Sequence, residues 1–421
     1  ALPVITGNIG REGTCPGLNG KGMQMNFDGG MWNSVPIGEN PVTKKISISG
    51  RFNAIDHPLE MTALTDGIQG GDKLEVGIKF LALYEAGCFG NSSSDLNWAA
   101  TILEDESKCE FIVGCDTFMT DSAKYCDILL PDAMRAEQLN MSTNGYSEYY
   151  WGVTVGGPAQ EPPFECRPIY DVHADIAEKL GVRDKFTLGK TQDEWIEELY
   201  KAGAAADPEL PSWEGILEQG VYKRKLPTAI AFEENVKDPV GHPWNTPSGK
   251  IEIYSEALAK IAEDRELEGR LTEGQVISPI PIFDPGVEGY GAVTDEYPLY
   301  MSGWHDKART HSSFGSLEVL KDYNRHRLWI NPLDADPRGI HDGDKVRVKS
   351  PAGEVEIEAH VTSRIVPSVV AMPQGFWHDA DMKGNKLDKG GCINTLTTYV
   401  PSPLAHGNGP SNSIIAEVTK A

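Results

Sequence analysis

Residues 111–131, FIVGCDTFMTDSAKYCDILLP, place two thiols, Cys115 and Cys126, around a carboxylate, Asp116, that ends an apolar run. Three chemistries are open to such a stretch: a metal site, a redox pair, or a strand end that reads a ligand. Zinc and iron–sulfur centres use closely spaced ligands. The seven cysteines, at 15, 88, 109, 115, 126, 166 and 392, form no C-x-x-C pair. An odd count spread over a long chain points to buried thiols and not to a disulfide framework. Asp116 falls where open α/β sheets bind ligands, at the carboxyl end of a strand. It could accept two hydrogen bonds from a ribose diol or a guanine edge. It could equally be the N-cap of a helix that opens with TFMT.

Further candidates lie on three other stretches. GNSSSD, residues 90–95, puts small residues at a strand-to-helix turn, where a phosphate can approach the backbone. SGWHDKARTHSSFGS, residues 302–316, gathers His305, Arg309, His311 and Ser312. The two histidines lack a third metal ligand at a suggestive spacing. Arg309, His311 and Ser312 suit a phosphate or polar heterocycle, or else a solvated loop. MPQGFWH (372–378) and GGCINTLT (390–397) set amides at strand ends, where they can read a flat heterocycle or simply shape a turn.

The elements that must position these groups follow from periodicity. IKFLALYEAG is expected to be a buried strand ending at Gly87, and DLNWAATILEDESK a helix burying Leu96, Ala99, Ala100 and Leu103. CEFIVGCD is the next strand, TDSAKYC a short helix and DILLP another strand. Such strand–helix–strand alternation implies a parallel, doubly wound sheet. Residues 161–275 read as mainly helical and loop-rich. In YDVHADIAEKLG the inward face is expected to hold Val172, Ile176, Ala177 and Leu180, closing at Gly181. Thr191 and Glu194 have the spacing of a capping box. After about residue 295 the texture is β: Val346, Val348, Val355, Ile357, Ala359 and Val361 alternate around the turn SPAG, and IVPSVVAMPQG adds a strand. A C-terminal β-barrel is expected there.

Composition narrows the function. The 421 residues are 40% hydrophobic and 24% charged, ordinary for a globular protein of two or three domains. A formal charge of −24 argues against a nucleic-acid partner, which needs a basic surface. There is no apolar run long enough to span a bilayer. ALPVITGNIGREG lacks the basic n-region of a signal peptide, and the Gly- and Asn-rich opening reads as loop from inside a larger fold. G-x-G-x-x-G, P-loop, H-E-x-x-H and G-x-S-x-G signatures are all absent, so nicotinamide, ATP and serine-hydrolase readings lose their support.

Taken together, TGNIGREG (6–13), FMTDSAKYCDILLP (118–131), TPSGKIEIYSE (246–256), INPLDADPRGIHDGDKVRVKSPAGEV (330–355) and PSPLAHGNGPSNSIIAEV (401–418) resemble the dimethyl sulfoxide reductase family of molybdopterin oxidoreductases, in family order. THSSFGS and GGCINTLT look most like the catalytic subunits of its membrane-anchored members. The resemblance implies the later part of a Rossmann-like α/β domain with helical and loop insertions over 1–290, then a six-stranded, double-psi β-barrel over 295–421. It implies molybdenum held by two molybdopterin guanine dinucleotides, with oxygen-atom transfer from a small S-oxide or N-oxide. Asp116 and Thr117 would read guanine or ribose, with Gly90 and Asn91 in the same pocket. Gly303, His305, Arg309, His311, Ser312 and Asn331 would contact pterin or phosphate from the barrel, and Gln374, Gly375 and Asn394 would reach the pterins. The family's [4Fe–4S] cysteines and protein ligand to molybdenum precede the matching region. This segment is therefore expected to hold no catalytic acid or base and no metal ligand, and to be inactive alone. The implied partners are an N-terminal half, an iron–sulfur electron-transfer subunit and a membrane anchor, on the outer face of the cytoplasmic membrane. A non-catalytic nucleotide-binding or assembly module is the competing reading. A family member acting on thiosulfate, polysulfide or a catechol is another.

Overall fold

A computed structural model of the chain describes residues 2–14, 38–84, 92–143, 150–226, 230–264, 271, 275–289, 291–401, 404 and 413–421. The chain divides into two compact units, one of residues 1–40 with 131–255 and one of residues 41–130 with 256–421.

The second unit carries a parallel sheet and a barrel. In the sheet, β1 (Phe80–Tyr84) and β2 (Phe111–Asp116) run parallel, and β3 (Ile128–Pro131) lies on the far side of β2. Their connection is α1 (Leu96–Leu103), the helix expected from DLNWAATIL. Asp95 caps it, its carboxylate accepting from the Trp98 amide at 3.2 Å. Leu96, Ala99, Ala100 and Leu103 are all buried, and Ala99, Ile102 and Leu103 pack on Leu81, Leu83 and Ile112 of the strands. Each fully buried Leu or Ile contributes roughly 1.5–3 kcal/mol, enough to order so short a helix. TDSAKYC forms only a 3-10 turn, Ala123–Tyr125, because Asp127 follows at once: its side chain accepts from the Ile112 amide and its own amide donates to the Ile112 carbonyl.

The barrel comprises β7 (Leu299–Trp304), β8 (Arg327–Ile330), β9 (Lys345–Lys349), β10 (Glu354–Val361), β11 (Val369–Pro373) and β12 (Ile414–Lys420), closed in the order β10-β8-β11-β7-β12-β9. β10 with β8 and β11 with β7 pair in parallel, and the other ladders are antiparallel. The alternating residues behave as expected: Val346, Val348, Val355, Ile357 and Ala359 fill the core, and Val361 packs against it. The turn closes with the Ser350 amide donating to Gly353. The strand expected from IVPSVVAMPQG is shorter, beginning after Ser368, whose φ of 65° breaks an extended run.

The first unit holds an antiparallel sheet that periodicity did not suggest: β4 (Asn140–Thr143), β5 (Tyr150–Gly156) and β6 (Val221–Lys225), in that order. VYKRK in β6 carries little apolar signal, so only its pairing with β5 reveals it. Around it lie α2 (Ile169–Lys179), α3 (Arg183–Thr187), α4 (Gln192–Ala206) and α5 (Trp213–Gln219). The Thr191–Glu194 capping box forms at α4. Gly181 closes α2 with φ of 70°. One expectation fails there: Val172 and Ala177 are buried, but Ile176 and Leu180 are 43% and 72% exposed. The small Ala174 and Ala177 permit the closest approach, and they face inward in place of the larger side chains.

Candidate functional site

β7 and β11 lie side by side and parallel, with Gly303 opposite Met372 and Trp304 opposite Pro373. The loops that follow them, 305–316 and 374–397, therefore leave the barrel at one end. The ladder continues one step, the Gln374 amide donating to the Trp304 carbonyl at 3.0 Å. The Gln374 side-chain amide donates to Nε2 of His305 at 2.7 Å, and the His305 ring meets His311 edge-on at 5.7 Å.

Gly375 makes the two loops touch. With φ of 90°, it brings its backbone against the His311 carbonyl, which a Cβ would meet at 1.9 Å. No other residue fits there. Next to it, the Trp377 indole donates to the Ser312 carbonyl at 3.0 Å. His311 itself sits at φ 52°, a conformation held by these neighbours.

Phe376 is the floor of the cluster. The Arg309 guanidinium lies 3.5 Å from its ring centroid, and the His326 imidazole stacks on it at 3.3 Å. His326 donates from Nε2 to the Gly391 carbonyl at 2.8 Å, which leaves Nδ1 as the acceptor. Burial lowers the His326 pKa to about 3, with the Arg309 charge acting in the same direction, so the ring is neutral. Burial also lowers the Arg309 pKa. Two buried atoms here, Arg309 Nη1 and His326 Nδ1, have no hydrogen-bond partner among the described residues. A buried cationic donor and a buried acceptor, both packed on Phe376 and lacking a partner among the described residues, are costly unless a ligand completes them.

The loop after Phe376 is tied down by Asp388, which is wholly buried. One carboxylate oxygen accepts from the amides of Asp379 and Gly390, at 2.9 and 2.8 Å. The other accepts from the Cys392 amide and the Thr395 hydroxyl, at 2.9 and 2.8 Å. This places Asn394 on the 3-10 turn Ile393–Thr395.

The sheet end joins the barrel loop through Asp121. Its carboxylate accepts from the His378 amide at 3.0 Å, while His378 donates from Nε2 to the side-chain Oδ1 of Asn97 at 3.0 Å. Burial pushes the Asp121 carboxyl up to about 6 and lowers His378. Asp116 stands just upstream at the end of β2, accepting from the Thr117 and Phe118 amides at 2.7 and 3.3 Å. Its carboxylate shapes this turn, but no helix opens at Thr117 for it to cap, and Thr117 is exposed beside it.

The structure thus gathers Gly303, His305, Arg309, His311, Ser312, Gln374 and Gly375 at the barrel mouth. Gly90 and Asn91 lie outside the described residues. Asn331 is not brought to the cluster. It follows β8, which runs antiparallel to β11, so it lies at the opposite end from Gln374. Its amide is used in capping the next helix, accepting from Leu333 and donating to Ile365 at 3.0 and 2.6 Å. Sequence reasoning missed His326, Asp121 and Asn97, whose partners are distant along the chain, and Asp388, whose partners are two to nine residues away but carry no periodic signal. Phe376, Trp377 and His378 were within a flagged stretch, but only for its amides. Cys115 is buried, and Cys126 is half-buried with its thiol pushed up to about 11 by burial. Among the described residues no group of three or more His, Cys, Asp or Glu side chains could hold a metal ion.

An unpaired guanidinium nitrogen, an unpaired imidazole acceptor and glycine-forced close packing fit an anionic ligand that carries both donors and acceptors. Comparison with known proteins gives the family. Residues 2–179 match the model of the molybdopterin oxidoreductases, and residues 299–413 match that of the molydopterin dinucleotide binding domain. The chain belongs to the molybdopterin oxidoreductase family. Its cofactor is accordingly molybdenum with molybdopterin guanine dinucleotide. The chain is 45% identical over its whole length to half of the dimethyl sulfoxide reductase DmsA of Escherichia coli (strain K12). It is 31% identical over 79% of its length to a trimethylamine-N-oxide reductase of Haemophilus influenzae, covering 41% of that protein. It spans about half the length of the curated relatives it matches most strongly. The acetylene hydratase of Pelobacter acetylenicus shares the fold, with a TM-score of 0.61 at 17% identity over 89% of this chain and 51% of that one.

Proposed function

We propose that this chain is the dinucleotide-holding portion of the catalytic subunit of a molybdenum reductase acting on S-oxides or N-oxides. The observation that carries the proposal is the barrel-mouth cluster, where Arg309 Nη1 and His326 Nδ1 are buried and unpaired around Phe376. In this reading Arg309 binds a phosphate or pterin oxygen, a charge-assisted bond of the strong kind. His326 accepts from a ligand N–H or O–H. His305, His311, Ser312, Gln374, Gly375 and Asn394 orient the pterins, with Gly303 beneath them. Asp116 and Thr117, with Gly90 and Asn91, read the guanosine end.

The bound group supplies the two-electron oxygen-atom transfer; this chain's residues supply orientation and exclusion of water. The parallel sheet is read as part of a Rossmann-like domain over 1–290 and the barrel as double-psi over 295–421, the second region agreeing with the dinucleotide-binding match. The [4Fe–4S] centre, the iron–sulfur electron-transfer subunit and the membrane anchor are assigned to the complete complex. No helix among the described residues is long and apolar enough to cross a membrane.

Cofactor content tests the proposal. The chain is coexpressed with the half of the Escherichia coli relative that it does not match. Molybdenum and released guanine nucleotide are then measured in wild type, Arg309→Met and Asp116→Asn. Loss of one charge-assisted bond worth roughly 1.5–3 kcal/mol should lower retention by about tenfold or more for Arg309→Met. Full retention in both variants refutes the site. Nucleotide retained at full stoichiometry without molybdenum supports a non-catalytic binding module instead.

A further inference from the structure

Gln374, Gly375, Phe376 and Trp377 are consecutive, and each addresses the barrel mouth. The next residue, His378, turns the other way. It is 4% exposed, and its polar groups reach the parallel-sheet side of the second unit. Its amide donates to Asp121, its carbonyl accepts from Lys124 Nζ at 2.9 Å, and ring Nε2 donates to Asn97 Oδ1. Asp388 fastens the same loop to the barrel, exchanging backbone hydrogen bonds with Glu354 and Glu356 of β10. His378 ties it to the sheet.

Asn97 decides how that ring is protonated. It is buried in the first turn of α1, and its Nδ2 donates to the Lys386 carbonyl at 3.1 Å. A carbonyl only accepts, so the amide must turn Nδ2 toward Lys386 and Oδ1 toward His378. Oδ1 only accepts as well, which puts a ring proton on Nε2. Burial lowers the pKa of the ring and Lys124 acts in the same direction, while Asp388 and Asp379 oppose them. Asn97 thereby selects one tautomer of a neutral imidazole and joins it to residue 386, farther along the same loop. Removing either partner leaves a buried polar atom of the other unpaired.

We propose that His378 is a positioning residue for the barrel mouth: through its Nε2 proton and Asn97 it holds residues 374–377 against loop 305–316, and so orders the groups that meet the dinucleotide. The identity of that ligand rests on the functional reading above. The contact itself is testable without any ligand.

The experiment is NMR of the full chain, isotopically labelled at histidine and tryptophan nitrogens, for wild type, Asn97→Leu, His378→Phe and His378→Gln. Circular dichroism verifies that each variant folds. The same proteins are coexpressed with the half of the Escherichia coli relative that this chain does not match, and bound guanine nucleotide is measured. Wild type should show His378 protonated on Nε2 and a slowly exchanging Trp377 indole, the donor to Ser312. Asn97→Leu and His378→Phe should speed that exchange about tenfold, the weight of one buried hydrogen bond, and lower nucleotide retention. His378→Gln carries an N–H donor at the reach of Nε2 and should restore both, a rescue that a merely space-filling ring would not permit. A proton on Nδ1 alone, equal exchange in all four proteins, or a Gln variant as loose as the Phe variant overturns the proposal. The two readings fail separately. The expected order of exchange with no nucleotide retained even by wild type supports the positioning contact and refutes the functional reading. Full nucleotide retention in all four proteins overturns the positioning role and leaves that reading intact.

Discussion

Two buried groups of the second unit should give this protein opposing pH responses, and separating them tests the site's electrostatics. His326 is held neutral, its pKa lowered from 6.5 to about 3 by burial and by Arg309. A depressed pKa means that His326 contributes stability above 6.5, and that this stability is lost as pH falls toward 3. At pH 5 the unfolded chain has bound the proton and the folded chain has not, which costs about 2 kcal/mol relative to pH 7. Asp121 acts in reverse. Its pKa is raised from 3.8 to about 6, so its contribution is full below 3.8 and disappears as pH rises through 6. Between pH 7 and 5 it returns roughly 1 kcal/mol. Wild type should therefore change little over this range. The variants should separate. Asp121→Asn leaves His326 unopposed and loses stability on acidification, whereas His326→Asn removes the stronger of the two responses and gains stability. The assay is urea unfolding of the three proteins at pH 7 and pH 5, comparing the change in free energy between the two pH values. His378, also lowered by burial, is common to all three and cancels in the comparison. If the three changes agree within about 0.5 kcal/mol, or if the His326 imidazole titrates near 6.5 by NMR, the buried neutral assignment is wrong.

Two other outcomes follow from the same geometry. Asp388→Ala strands four donors, two of them buried, around one carboxylate and should lower stability by about 3 kcal/mol, read as a fall in the urea midpoint. Cys115→Ala with Cys126→Ala should leave molybdenum content unchanged in the coexpressed protein, because among the described residues these thiols belong to no group of three or more possible metal ligands; a drop in metal at unchanged stability would contradict this.

Local chemistry along the chain was enough for most of the second unit. Alternation over 345–361 specified which barrel residues point inward, since a two-residue period is visible wherever one face is buried. The α1 face and both flanking strands were legible for the same reason. Legibility failed where the determinant was contact. At α2, Ile176 and Leu180 share the expected apolar stripe, but close packing favours alanines, a choice that hydropathy does not encode. VYKRK became a strand only through its partner β5.

The candidate site shows the same division. His305, Arg309, His311 and Gln374 could be chosen by residue type and by their place in loops after strands. Their assembly depended on β7 and β11 being parallel neighbours, which no local pattern states. Asn331 sits beside strand chemistry just as plausible, and antiparallel pairing of β8 carried it to the other end of the barrel. Sequence by itself determined the family, the barrel's inward face and the kinds of side chain available to a ligand, because these reside in residue identity and period. Tertiary structure alone decided that Arg309, Phe376 and His326 stack and that Asp121 meets the His378 amide. Those are relations between distant segments, set by which strands pair.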